Sequence, residues 1–338
     1  MPLRKPRNKP AVTHRFQPMY LSRDIGKATI VRETMRAGFG KGLKKAGQAD
    51  DAVVALVGDL TESVCMTEFK EAFAHRFINV GVTEQNLVTV AAGLAATGKK
   101  PFAASYAAFS PGRNWEQIRT TICLNEQPVV VVGSHAGLSV GPDGATHQML
   151  EDIALMRILP HMTVVAPADS IEAEKATQAL AELNTPSYIR LARESTPVFT
   201  TYVTPFEIGK AYVLRPGTDV TLLATGTMTY QCLVAADIVA SQGVAVEVVH
   251  VPTIKPLDAP TIVKSAKKTG RVVTVEEGQI AAGFGSAVAE LLAEALPVPV
   301  KRLGVRDCFG ESGSTEQLWK HHRLDVESIA ASVKAWAA

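Results

Sequence analysis

Three short runs in the first part of the chain contain almost nothing but apolar side chains: 52–58 (AVVALVG), 101–109 (PFAASYAAF) and 128–134 (PVVVVGS). A strand of that composition must be covered on both faces, as in a parallel sheet buried between helices. The stretch 77–86 (FINVGVTEQN) sets the pattern between two of them. Residues 77–81 read as a short buried strand. Thr83 is then placed to cap a helix, with Asn86 at its third position. That helix runs into LVTVAAGLAATG, where Ala91, Ala92, Gly93, Ala95 and Ala96 leave room for another backbone to approach. Gly98, followed by Pro101, is a stop signal. The carboxylate at its start, Glu84, has two readings. One is complementation of the helix dipole, worth about 0.3–1 kcal/mol. The other is an acid delivered into the crevice beyond the strands, where open α/β sheets hold ligands.

The alternation continues along the chain. Helical spacing is expected over 28–45, 114–123, 150–158 and 171–183, and strands over 162–167 and 186–193. Composition shifts around 194–207, with Ser195, Thr196, Pro197, Thr200, Thr201, Thr204 and Pro205, which reads as a domain boundary. Beyond it, strands are expected at 219–225, 244–251, 270–275 and 298–305, with helices between them and a last helix from about Val326. The fold class is therefore α/β with two doubly wound domains: a basic tail at 1–23, a first domain at 24–197 and a second at 205–338. The run 278–285 (GQIAAGFG) lacks GxGxxG and reads as a turn into a helix.

The formal net charge of +2 is a property of the tail, because Arg4, Lys5, Arg7, Lys9 and Arg15 stand there without an acid. The body is left at about −3. A nucleic-acid role would rest on that tail alone, and a solvated arm is the simpler reading. The tail has no apolar core of a secretory signal, and no stretch is apolar enough to span a membrane. Cys65, Cys123, Cys232 and Cys308 lie far apart with no CxxC, as expected of reduced thiols in a cytoplasmic protein.

The segment 135–148 (HAGLSVGPDGATHQ) breaks the alternation. It is rich in Gly and Pro, follows an apolar strand and holds His135, Asp143 and His147. An irregular connection has little packing reason to carry two histidines and an aspartate, so it reads as functional.

These stretches together resemble the thiamine diphosphate enzymes of the transketolase family, and specifically the C-terminal subunit of a split transketolase. The likeness is carried by Asp59-Leu60-x-x-Ser63, by 79–86 (NVGVTEQN), by 133–148 with its GxDGxTHQ core, by Leu191-Ala192-Arg193, by 253–258 (TIKPLD) and by 309–313 (FGESG). It covers residues 24–338. It implies a pyrimidine-binding first domain and a transketolase C-terminal second domain that mainly packs and helps dimerise.

The resemblance also implies roles. Glu84 matches the family's glutamate that binds the pyrimidine N1′ and promotes the imino form. Tyr106 and Phe109 match aromatic positions against the pyrimidine, and Asp59 a position near the thiazolium. His147 matches a residue reaching the hydroxyls around the reacting carbons, and Asp143 one that reads a sugar hydroxyl. His135, Arg193, Arg32 and Ser63 match a phosphate clamp, a task suited to the planar arginine fork. The family holds the diphosphate and a divalent metal, Mg²⁺ or Ca²⁺, with a GDG…NN segment that is not found in this sequence. No metal ligand is therefore assigned to this chain. An N-terminal transketolase subunit is expected as partner, in an α2β2 assembly acting on sugar phosphates.

Thr83 departs from the common alanine, Gly278-Gln279 stands where the family has a polar residue, often histidine, after Glu276-Glu277, and His321-His322 has no counterpart role. The competing readings are a deoxyxylulose phosphate synthase-like subunit, a 2-oxoacid dehydrogenase β-like subunit, a transketolase for a non-standard sugar, and a non-catalytic scaffold. His135 with Asp143 favours transketolase over the first two.

Overall fold

The apolar runs form the centre of a seven-stranded sheet in the computed structural model, which describes residues 20–337. Its order is Thr253–Lys255, Thr163–Val165, Ser187–Arg190, Val130–Ser134, Lys100–Tyr106, Val53–Val57, Phe77–Asn79. All neighbours are parallel except the first pair. Every residue of Val53–Val57 and Val130–Ser134 is buried, as their composition requires. One helix, Met35–Ala49, lies against Ser170–Glu182 so closely that a Cβ on Gly38 would sit 1.9 Å from the Ser170 carbonyl oxygen. The second sheet has the order Val300–Val305, Val272–Gln279, Val220–Ala224, Val246–His250, Tyr212–Arg215, the last antiparallel at an edge.

Several elements differ from expectation for local reasons. Helix is not continuous from residue 28: Arg32–Thr34 is a short strand paired with Ser195–Pro197, and Thr34 caps the helix by accepting from the Ala37 N–H at 3.2 Å. Thr83 stands at the cap position of Glu84–Ala96, but its hydroxyl donates to the Val80 carbonyl at 2.9 Å and leaves the helix uncapped. The strand Lys100–Tyr106 ends before Phe109, which lies in the following turn. Residues 253–255 follow the second domain's first strands yet add an edge to the first sheet, so the two halves share an element. Of the expected tail, residues 1–19 lie outside the described residues. Leu21 is buried and bridged to Thr200, so the packed chain begins ahead of residue 24.

Candidate active site

From Val53–Val57 the chain moves to Phe77–Asn79 on one side, and from Lys100–Tyr106 to Val130–Ser134 on the other. Such a reversal between adjacent parallel strands opens a crevice at their carboxyl ends. The segment after the first strand carries Asp59 and Ser63; the second ends in Tyr106. Ser63 Oγ and Tyr106 Oη close across the gap at 2.6 Å. His135, the first residue past Val130–Ser134, lies flat on the Tyr106 ring with centroids 3.8 Å apart. It does so with φ of 56°, a left-handed backbone that a non-glycine residue adopts at a cost. Phe109 stacks at 6.3 Å from Tyr106, and His147 stands edge-on to both, 5.4 Å from Phe109 and 6.4 Å from Tyr106. The Thr146 hydroxyl bonds His147 Nδ1 at 2.9 Å, which leaves Nε2 as the ring's free polar atom.

Glu84 is only 2% exposed. Its Oε2 accepts from Arg113 Nη1 at 2.8 Å, and the Arg113 guanidinium lies over the Phe109 ring at 4.9 Å. The buried Asn114 amide donates to the Glu84 carbonyl at 2.7 Å and to Ser110 Oγ at 3.1 Å. Glu84 is thus tied to the aromatic group through the Phe109–Asn114 turn, and a half-exposed arginine covers its carboxylate. Arg113 had no signal in the sequence, since an arginine in a Ser-Pro-Gly-Arg turn reads as surface.

Another unforeseen arginine organises the cationic end. Arg36 donates through Nη1 to the Ser63 carbonyl and through Nη2 to the Arg193 carbonyl at 2.8 Å. Arg193 Nη1 donates to the Val140 carbonyl at 2.9 Å, and its Nη2 stands 3.9 Å from Asp143 Oδ1. Burial, followed by the charges of Arg36 and Arg193 and by His147, pushes His135 down to about 3. Its ring is therefore neutral in a positive field, with Nδ1 bonded to the Ser134 hydroxyl at 2.9 Å. Arg32 donates to the Ser195 carbonyl at 2.8 Å and lines a cavity of about 340 Å³ together with Arg193, Ser139 and Trp319. Of the anticipated residues, Asp59 stands apart: its carboxylate and N–H bond Asn79 at 2.9 and 3.1 Å, and neither bond reaches the aromatic group.

The second domain does more than pack. It holds the 138–148 segment from below. The buried carboxylate of Glu277 accepts from the Ser139 N–H, from Ser139 Oγ at 3.2 Å, from Thr227 Oγ1 at 2.7 Å and from Trp319 Nε1 at 3.2 Å. Burial pushes its pKa up, while Arg190 and these donors oppose the rise. Gly137, at φ of 87°, passes so close that a Cβ would sit 2.8 Å from the Glu277 carboxyl carbon. The Gln148 amide donates to the Gly141 and Glu311 carbonyls at 3.0 and 2.9 Å. The sequence singled out 309–313 without a task, and here it seats the loop that carries Asp143 and His147.

A buried carboxylate beside a stacked aromatic pair suits a flat ring with a polar edge, as an aminopyrimidine is, and the residues present fit that half of thiamine diphosphate. Among the described residues the one group of three or more His, Cys, Asp or Glu close enough to hold an ion is Glu311, His321 and His322, in the second domain. No helix of the described residues is long and apolar enough to cross a membrane.

Comparisons with known proteins agree with this layout. Residues 32–198 match the model of the transketolase pyrimidine-binding domain, and 209–329 that of the transketolase C-terminal domain. A Methanocaldococcus jannaschii protein named as a transketolase C-terminal section is 41% identical over 310 residues, spanning 91% of this chain and 97% of its own. The 6-deoxy-6-sulfo-D-fructose transketolase subunit of Clostridium sp. strain MSTE9 is 42% identical over 287 residues, spanning 85% of this chain and 89% of its own. A solved structure described as a split gene transketolase, an inactive beta4 tetramer, superposes with a TM-score of 0.85 at 42% identity, covering 90% of this chain and 98% of that one.

Proposed function

The chain belongs to the transketolase family, as the C-terminal subunit of a split enzyme, and from that premise we propose that it transfers a two-carbon ketol unit from a ketose phosphate to an aldose phosphate. The observation that carries the substrate class is the cationic end of the crevice. Arg36 and Arg193 stand beside a neutral, buried His135, next to the Ser63–Tyr106 bridge. A positive field of that kind, adjoining a polar aromatic site, suits a sugar with an anionic terminus.

Thiamine diphosphate, when bound, supplies the nucleophilic carbon that accepts the ketol unit. The chain's own residues act around it. Glu84 would meet the pyrimidine edge, with the half-exposed Arg113 releasing its ion pair as the ring takes its place. Tyr106 and Phe109 carry the ring face. His147, with Nδ1 held by Thr146, presents Nε2 to a substrate hydroxyl and moves a proton there. Asp143 accepts from a sugar hydroxyl. Ser63, His135, Arg193 and Arg32 hold the anion. Asp59, held by Asn79, would stabilise the positive charge of the thiazolium. The diphosphate and its Mg²⁺ or Ca²⁺ are held by an N-terminal partner subunit in an α2β2 assembly.

A sulfonate is also a tetrahedral anion, and a relative at 42% identity is named for a sulfonated ketose. The experiment is a donor panel with the two-subunit enzyme: a phosphorylated ketose, its sulfonated analogue and the uncharged ketose. A strong preference for the phosphorylated donor supports the proposal. Preference for the sulfonate changes the substrate while keeping the clamp, and equal use of the uncharged sugar removes the clamp.

A further inference from the structure

The helix Thr315–His321 is closed at its start by a full capping box between Ser314 and Gln317, and it ends in two histidines. The turn ahead of it folds back, so that Glu311 faces the helix end. Glu311 Oε1 lies 3.5 Å from His321 Nε2, and Oε2 lies 3.5 Å from His322 Nε2. These spacings are long for charge-assisted hydrogen bonds. His322 shows the consequence: its side chain is 5% exposed, and its Nε2 has no hydrogen-bond partner. A buried imidazole nitrogen aimed at a carboxylate without bonding it is an orphan that asks for a third party.

The spacing says what kind. Two donors about 2.0–2.1 Å from one tetrahedral ion are about 3.4 Å apart. All three ligating atoms lie within 4.8 Å of one another, and the exposed His321 ring stands edge-on to His322 with centroids 5.0 Å apart. We propose that Glu311, His321 and His322 form a binding site for a divalent transition-metal ion of the Zn²⁺ class, with a fourth position open. Two imidazoles and one carboxylate are the donor set of such ions. An adjoining cavity of about 500 Å³ is lined by both histidines and Cys308, together with Lys301, Arg306 and Arg323.

The site has a link to the crevice. The Glu311 carbonyl accepts from the Gln148 amide at 2.9 Å, and Gln148 follows His147. An ion that fixes Glu311 therefore stiffens the turn on which the 138–148 loop is seated.

The test is direct metal binding by the untagged full chain, stripped with a chelator and titrated with Co²⁺. The expected result is a single equivalent bound, with the visible absorption of tetrahedral Co²⁺, displaced by Zn²⁺ and accompanied by a rise in melting temperature. His322→Ala and Glu311→Gln should each weaken binding about tenfold or more. His321→Ala guards against misfolding, because its exposed side chain can be removed with an unchanged circular dichroism spectrum, and it too should weaken binding. His75→Ala, elsewhere on the surface, should bind as the parent does. Absence of stoichiometric binding, or binding that persists unchanged in His322→Ala and His321→Ala, overturns the site. Neither result depends on turnover, so the proposed activity stands or falls separately.

Discussion

Truncating Glu277 tests whether the second domain sets the geometry of the crevice. The carboxylate is buried and accepts four hydrogen bonds, two through Oε1 from the Ser139 N–H and Trp319 Nε1, and two through Oε2 from the hydroxyls of Ser139 and Thr227. Glu277→Ala strands both N–H donors away from water. At about 1–3 kcal/mol for each buried unpaired donor, the cost is about 2–6 kcal/mol of stability. Glu277→Gln is milder, because the amide oxygen keeps the two N–H donors and both hydroxyls can turn to accept from its NH₂. What it loses is charge assistance, about 1–2 kcal/mol in all. The assay is urea unfolding of the chain alongside steady-state kinetics of the two-subunit enzyme. The expected order of stability loss is alanine well above glutamine. In Glu277→Gln, kcat/KM for the sugar should fall while cofactor affinity stays unchanged, because the carboxylate holds the 138–148 loop and touches no ligand. A Glu277→Ala chain as stable as the parent refutes the hydrogen-bond reasoning. A Glu277→Gln enzyme with unaltered sugar kinetics refutes the link from the second domain to the loop.

Other predictions rest on single residues. Glu84→Gln should lower kcat by about 100-fold or more, the scale of a lost proton-transfer group, with the fold intact by circular dichroism. Arg193→Ala should raise KM for a phosphorylated donor about tenfold or more and far more than for an uncharged donor, because it removes a charge-assisted pair worth about 1.5–3 kcal/mol. For His135 the folded pKa of about 3 lies below the ordinary 6.5, so its contribution to stability is complete above 6.5 and is lost as the pH falls towards 3. Between about pH 7.5 and about pH 5 that is about 2 kcal/mol, and His135→Gln should remove this part of the pH dependence of urea unfolding.

Much of this arrangement was legible in the chain because it is local. The all-apolar runs could only be interior parallel strands. The 135–148 segment declared itself by carrying His, Asp and His where packing needs none, and Tyr106, Phe109, His135 and His147 do come together. What stayed hidden depends on partners distant in sequence. Arg36 looks like a surface residue on a helix until the fold brings it between the carbonyls of Ser63 and Arg193. Arg113 gains meaning only beside Glu84, 29 residues earlier. Glu277 stands just past the strand expected at 270–275, and nothing local shows that it will meet Ser139 from the other domain. Thr83 has the right residue type and position for a cap, yet the φ of −140° and ψ of 70° at that position go with a bond to Val80 instead.

The central claim is that this chain completes a transketolase only with a second subunit that holds the diphosphate and metal. The most direct measurement is formation of sedoheptulose 7-phosphate from xylulose 5-phosphate and ribose 5-phosphate, with thiamine diphosphate and Mg²⁺, by each chain alone and by the two mixed. Product from the mixture only, lost again with Glu84→Gln, is the predicted result. Product from this chain alone contradicts the claim, and so does a cofactor-loaded mixture that forms none while consuming pyruvate with glyceraldehyde 3-phosphate.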